Sequence, residues 1–135
     1  MYRTNLVLFY CGLRTGHFGQ GTFIQNLLPY FKKRPDILIT LIKTDCSGIA
    51  KVVDYKEDGV EIMALPRMQK GMMLTGENNP AQKMYSQRII GMIYPYLKDK
   101  ANLLFWANSI DYLNVFYDLR QVFQECKLNV CPSFL

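Results

Sequence analysis

Two spacings of apolar residues run through the chain. Asn5 to Tyr10 is an unbroken apolar run that ends near glycine, the pattern of a strand buried on both faces. Phe23, Ile24, Leu27, Leu28 and Phe31 then fall at helical spacing, with Pro29 predicted to kink that helix. Asp36 to Lys43 is a second β-branched run and predicts a second strand. Lys51–Tyr55 and Val60–Leu65 flank Asp58-Gly59 and predict a hairpin. Asn79-Pro80 reads as a helix cap followed by proline at the first helical position. That helix is expected to reach about Leu97, disturbed at Gly91 and Pro95. Ala101 to Ala107 predicts another buried strand. Asn108-Ser109 would cap a helix from Ile110 to about Cys126, its faces marked by Leu113, Phe116, Tyr117, Arg120 and Phe123. Asn129-Val130-Cys131 opens a last strand. Between Pro66 and Asn79 no regular period is found, and a long loop is expected.

Alternating strands and helices predict an α/β fold, a Rossmann-like and mostly parallel sheet with a hairpin excursion. One domain over residues 1–135 accommodates all the elements. Ligands of such sheets bind past the carboxyl ends of the strands, where the strand order reverses. Two segments meet that description: the glycine loop after the first strand, and Trp106-Ala107-Asn108-Ser109.

The glycine loop reads Gly16-His17-Phe18-Gly19-Gln20-Gly21, which is GxxGxG. The dinucleotide fingerprint has the inverse order, GxGxxG, with an acid at the end of the second strand. Asp45 with Thr44 stands near that place and could face a ribose. A phosphate-binding GK[ST] ending is missing, because Thr22 follows Gly21 directly. What remains is a loop whose amides, at a helix N-terminus, suit an anion or a sugar hydroxyl. The plainer reading is a tight turn that lets the helix pack on the sheet. His17 is the only imidazole of the chain, and its place in the loop makes it the candidate proton-transfer or ligand contact.

Composition narrows the classes little. Half of the residues are hydrophobic and the net charge is +5. A mildly basic chain suits an anionic ligand or an acidic membrane surface. The cations are spread out, and the densest run, Lys32-Lys33-Arg34, sits at a predicted helix C-terminus, where it complements the dipole without any nucleic acid. The four cysteines show no CxxC spacing, so no metal site is expected, and they read as reduced cytoplasmic thiols. The apolar run at the N-terminus is too short for a signal peptide or a membrane span.

The order of parts resembles the amino-terminal domain of a GT-B glycosyltransferase. The likeness is greatest to the retaining nucleotide-sugar transferases of bacterial polysaccharide synthesis. It rests on GHFGQGTFIQNLLPYF, on ILITLI and on LLFWANS. The family's loop reads roughly GGxGxxxxxLLxxL, matched here by Gly16, Gly19 and Gly21 with Phe23, Leu27 and Leu28. Trp106 and Asn108 stand where that family often has histidines, and the chain ends in CPSFL where a TxHD-like sequence is usual. The resemblance implies that Gly16, His17, Gly19 and Gly21 line a cleft beside the donor phosphates. It implies that Asn108 and Ser109 face the acceptor, a glycan or a lipid-linked glycan. It also implies a carboxy-terminal, donor-binding domain beyond this chain, so that these residues alone would not turn over substrate. The nucleotide-sugar is a substrate, and no cofactor is implied. Such enzymes often work at the inner face of the membrane, and Arg67, Met68, Lys70, Met72 and Met73 form a basic and apolar segment suited to touch lipid. The same methionines would serve as well tucked into the core. The rival expectation is a standalone nucleotide- or dinucleotide-binding module without catalysis.

Overall fold

A computed structural model describes residues 3–11, 26, 28–67, 79–107 and 112–130. Its strands are β1 (Thr4–Cys11), β2 (Ile37–Cys46), β3 (Val53–Glu57), β4 (Val60–Pro66), β5 (Leu103–Ala107) and β6 (Lys127–Val130). Two helices, α1 (Pro80–Leu97) and α2 (Leu113–Val122), join them, and residues 28–32 are helical as well. The six strands form one sheet in the order β3-β4-β2-β1-β5-β6. Every neighbouring pair is parallel except β3 with β4. This is the expected α/β fold, a mostly parallel sheet carrying one antiparallel hairpin. With the hairpin strand set aside, the order is third, second, first, fourth, fifth, that of the first five strands of a doubly wound Rossmann-like sheet.

β1 lies at the centre, and its sequence explains why. Side chains alternate between the faces of a strand. Val7 and Phe9 join Ile42, Met63, Phe105 and the inner faces of α1 and α2 in one core. Leu6 and Leu8 join Ile39, Leu41, Val60 and Ile62 in a second core on the opposite face, with Leu28 and Phe31 packed against it. A strand that serves two cores must be apolar at every position, and Leu6 to Phe9 are all buried.

The hairpin turns as its sequence requires. Asp58 and Gly59 have φ of 53° and 80°, so both central residues are left-handed, as a two-residue type I′ turn demands. Lys32 at the end of the helical segment pairs with Asp58, and Arg34 holds Asp36 through two hydrogen bonds of 2.8 and 3.0 Å. The basic run therefore braces turns at the amino edge of the sheet.

α1 begins where expected. The Asn79 side chain accepts a hydrogen bond of 2.9 Å from the Gln82 amide, and Pro80 is the first helical residue. The helix runs through Gly91 and Pro95 to Leu97, its expected end. The two are four residues apart, so the amide that Pro95 lacks would have bonded the Gly91 carbonyl. The disturbance is thus confined to one missing bond, near a helix end. The buried side chains Tyr85, Ile89, Ile93 and Leu97 hold the remainder in place.

The expected cap of α2, Asn108-Ser109, lies outside the described residues, and the helix ends earlier than expected. It spans Leu113–Val122, and Tyr112 occupies the cap position without a side-chain cap bond. Leu113 and Tyr117 are exposed, and the stripe that packs is Tyr112, Val115, Phe116 and Leu119. The helix stops at Val122 because Phe123 leaves the helical region, at φ −114° and ψ 83°. β5 begins two residues later than expected, since Asn102 takes a left-handed φ of 55° in the turn before it.

Candidate functional site

The strand order reverses on either side of β1. The chain passes from β1 to β2 and β4 on one flank, then returns to β5 on the other. Phe9 of β1 is in register with Ala107 of β5, so the two strands end side by side. The glycine segment follows β1 and the Asn108-Ser109 segment follows β5. The topology thus brings both predicted segments out of adjacent strands at the carboxyl edge, where doubly wound sheets hold ligands. Gly16, His17, Gly19, Gly21, Asn108 and Ser109 themselves lie outside the described residues. So do Met68, Lys70, Met72 and Met73 of the expected lipid-contacting segment. Arg67 is described: it is exposed directly after β4, and its amide donates to the Cys46 carbonyl at 3.2 Å. That places the start of the segment at the same edge of the sheet. Among the described residues no helix is long and apolar enough to cross a membrane.

The end of β2 forms much of the described rim. β2 was expected to stop at Lys43 but continues to Cys46. Its pairing with β4 shifts between Lys43 and Cys46, where three steps along β2 match two along β4. This is a β-bulge, and Asp45 within it has φ of 58°. Left-handed backbone at a residue other than glycine is uncommon, and aspartate is among the residues that tolerate it best. Asp45 is therefore part of the strand and is only 2% exposed. The carboxylate that a ribose would need is enclosed by protein.

On the core side of the bulge, Thr44 is 1% exposed and shares a hydrogen bond of 2.9 Å with the Tyr112 hydroxyl. The Tyr112 ring packs on Phe9 at 5.6 Å between centroids. This bond ties the start of α2 to β2 across the end of β1. The hydroxyl of Tyr85, on α1, is buried and has no hydrogen-bond partner among the described residues.

The other face presents a cation. Lys43 lies opposite Tyr10 in the β1–β2 register, with its ammonium 5.8 Å from the centre of the Tyr10 ring. Burial works against the charge of Lys43. Hydrogen bonding and charge from Tyr10, with a smaller part from Tyr55, outweigh it and hold its pKa above the ordinary lysine value. Burial pushes the Tyr10 hydroxyl upward, against the opposing pull of Lys43. Burial also raises the Cys46 thiol, only partly offset by Lys43. Burial raises the Cys126 thiol too, which makes both Cys46 and Cys126 poor nucleophiles at neutral pH.

Lys43, Tyr10 and Tyr112 were missed as site residues in the sequence, whereas Thr44 was considered only as a ribose contact beside Asp45. The available signal was a lysine and a threonine closing an apolar strand, where only burial would be expected. Of these groups only Lys43 and Tyr10 are partly accessible, since the Thr44 and Tyr112 hydroxyls are 1% exposed and bonded to each other; the half-buried cation suits an anionic ligand. Several cavities among the described residues lie away from this rim, including one of about 530 Å³ by Asn102, Phe123 and Cys126. Another of about 370 Å³ sits by the amino ends of β2 and β4, beside Lys32, Leu38, Lys56 and Lys100. A third is a groove of about 490 Å³ between α1 and α2, beside Ile90, Gly91, Tyr94 and Val122. No family model, curated protein or solved structure matches this chain.

Proposed function

We propose that this chain is the acceptor-side domain of a glycosyltransferase that moves a sugar from a nucleotide-sugar donor to a glycan or lipid-linked acceptor. The observation that carries the reading is the reversal of strand order at β1, from which the glycine segment and the Asn108-Ser109 segment leave neighbouring strands. A cleft built there would have Gly16, His17, Gly19 and Gly21 on one side and Asn108 and Ser109 on the other. Its contribution to catalysis would be positional: to orient the acceptor hydroxyl and close over the sugar phosphate. Lys43, at the same edge, supplies a cation for the diphosphate. Donor affinity in this reading belongs mainly to a second domain, so the chain alone binds nucleotide-sugar weakly and does not turn it over. The segment that starts at Arg67 would meet a lipid-linked acceptor at the inner membrane surface.

The test is an amide-resolved NMR titration of the labelled chain with UDP- and GDP-sugars at millimolar concentration. The expected result is saturable shifts at Cys11, Lys43 and Ala107, with none at Leu38 or Lys100. His17→Ala should weaken them. Shifts confined to the amino edge, or none at all, would remove the proposal. Firm binding of NAD that is lost in Asp45→Asn would favour a dinucleotide module instead.

A further inference from the structure

The outer edge of the hairpin is exposed along its whole length. All five residues of β3 are exposed, including Val53 at 40% and Tyr55 at 38%. Edge strands are commonly protected by shortness, charged side chains, proline, a bulge or a covering element, and β3 has the first two, as a five-residue strand with Asp54, Lys56 and Glu57. β3 has no proline, and it pairs with β4 in unbroken register from Val53↔Ala64 to Glu57↔Val60.

Hairpin geometry decides which backbone groups point outward. In a two-residue hairpin the residues flanking the turn exchange both hydrogen bonds, and the pattern then alternates. Glu57, Tyr55 and Val53 therefore spend their amides and carbonyls on β4. Asp54 and Lys56 turn theirs away from the sheet. An antiparallel strand added to this edge must bond through those two residues. If that strand is a second β3, three registers bring outward groups together. Asp54 against Asp54 joins one residue pair and opposes two carboxylates. Lys56 against Lys56 joins one pair and opposes two ammonium groups. The third register centres on Tyr55. It places Asp54 of each copy opposite Lys56 of the other, so that both outward residues bond and both charge pairs are complementary. Neither Asp54 nor Lys56 is engaged in an ion pair among the described residues.

We propose that β3 is a self-complementary edge through which two copies of this chain pair antiparallel about Tyr55, joining their sheets into one. The contact is isologous, as in most symmetric dimers. The two Tyr55 rings meet at the dyad on the face of the sheet that also carries Tyr10 and Lys43, and Val53 lies opposite Glu57 of the second copy. The strand is short, so the dimer is weak and concentration-dependent. It does not depend on the functional reading above.

Sedimentation velocity over a series reaching about 1 mM, the range in which weak interfaces populate, reads the association directly. Asp54→Lys and Lys56→Asp each turn two attractive cross-strand pairs into repulsive ones, and each should weaken dimerisation by about tenfold or more. The double variant restores the pairing with its signs exchanged and should return to within about threefold of the parent. Circular dichroism checks that each variant is folded. Register is read independently with Tyr55→Cys. Directly opposed residues in a pair without hydrogen bonds lie about 4.5 Å apart at Cα, within disulfide reach. Tyr55→Cys should form a covalent dimer under mild oxidation, and Val53→Cys, displaced from its own copy, should not. A chain that stays monomeric throughout overturns the proposal. So does a dimer indifferent to Asp54→Lys, which would assign association to another face.

Discussion

Asp118 joins the two helices, and its removal should be costly. It lies on α2 at 7% exposure, and its carboxylate accepts from the Ser86 hydroxyl and the Lys83 ammonium of α1, each at 2.9 Å. Ser86 is fully buried, whereas the Lys83 side chain is 48% exposed. In Asp118→Ala the Ser86 hydroxyl is left buried without its acceptor, which costs roughly 1–3 kcal/mol, and a small cavity opens beside it. The expected loss is about 3 kcal/mol, a fall in Tm of roughly 10 °C for a chain of this length. Asp118→Asn keeps an acceptor for Ser86 and should lose less than half of that. Lys83→Ala should matter least, because its ammonium is solvated and gains little from an exposed pair. Urea and thermal unfolding followed by circular dichroism give all three values. If Lys83→Ala destabilises as much as Asp118→Ala, the ion pair holds the helices together and the argument from the buried hydroxyl fails.

Three further outcomes follow from local structure. Gly91→Ala should stabilise by about 1 kcal/mol, since the residue is exposed inside α1 and an added Cβ meets no atom within 4 Å; a neutral or negative effect in urea unfolding would mean that the neighbourhood of Pro95 requires glycine. Asn79→Ala should cost about 1 kcal/mol through the lost cap on the Gln82 amide, while Asn79→Asp should cost little. Stability should hold from neutral pH to about pH 9.0, the ordinary thiol value, and decline above it. Burial raises the folded-state values of Cys46 and Cys126, so the unfolded chain ionises first as pH rises, and the loss continues up to the folded values. Cys126→Ser should flatten part of that decline, and an unchanged unfolding midpoint between pH 8 and 10.5 would refute the assignment.

Elements whose physics is local could be read from the chain. The run Leu6 to Phe9 announces a strand with two buried faces, Asp58-Gly59 announces its turn, and Asn79-Pro80 announces its helix. What could not be read depends on contacts between distant residues. The Tyr112 hydroxyl, at the start of α2, reaches Thr44, sixty-eight residues earlier in the chain, and no local pattern announces that bond. The end of β2 was hidden because an aspartate in left-handed backbone lengthens the strand through a bulge. The Asp118–Ser86 bond is likewise invisible until two helices are laid together. The candidate site divides in the same way. Its position at the carboxyl edge follows from the alternation of elements, whereas Lys43 and Tyr10 emerge only from the pairing of β1 with β2.

The central position of β1 also bears on how the protein is made. Its partner on one side, β2, follows soon in the chain, but β5 lies about a hundred residues further on. At ordinary synthesis rates of about 5–20 residues per second, roughly 5–20 s pass before that side of β1 can be covered. During that interval a nascent chain presents Leu-Val-Leu-Phe, an uncharged and strongly strand-forming sequence, with one edge open. The strand on which the whole sheet is built is thus also its main liability on the ribosome, and the segment that a holding chaperone would be expected to grip first.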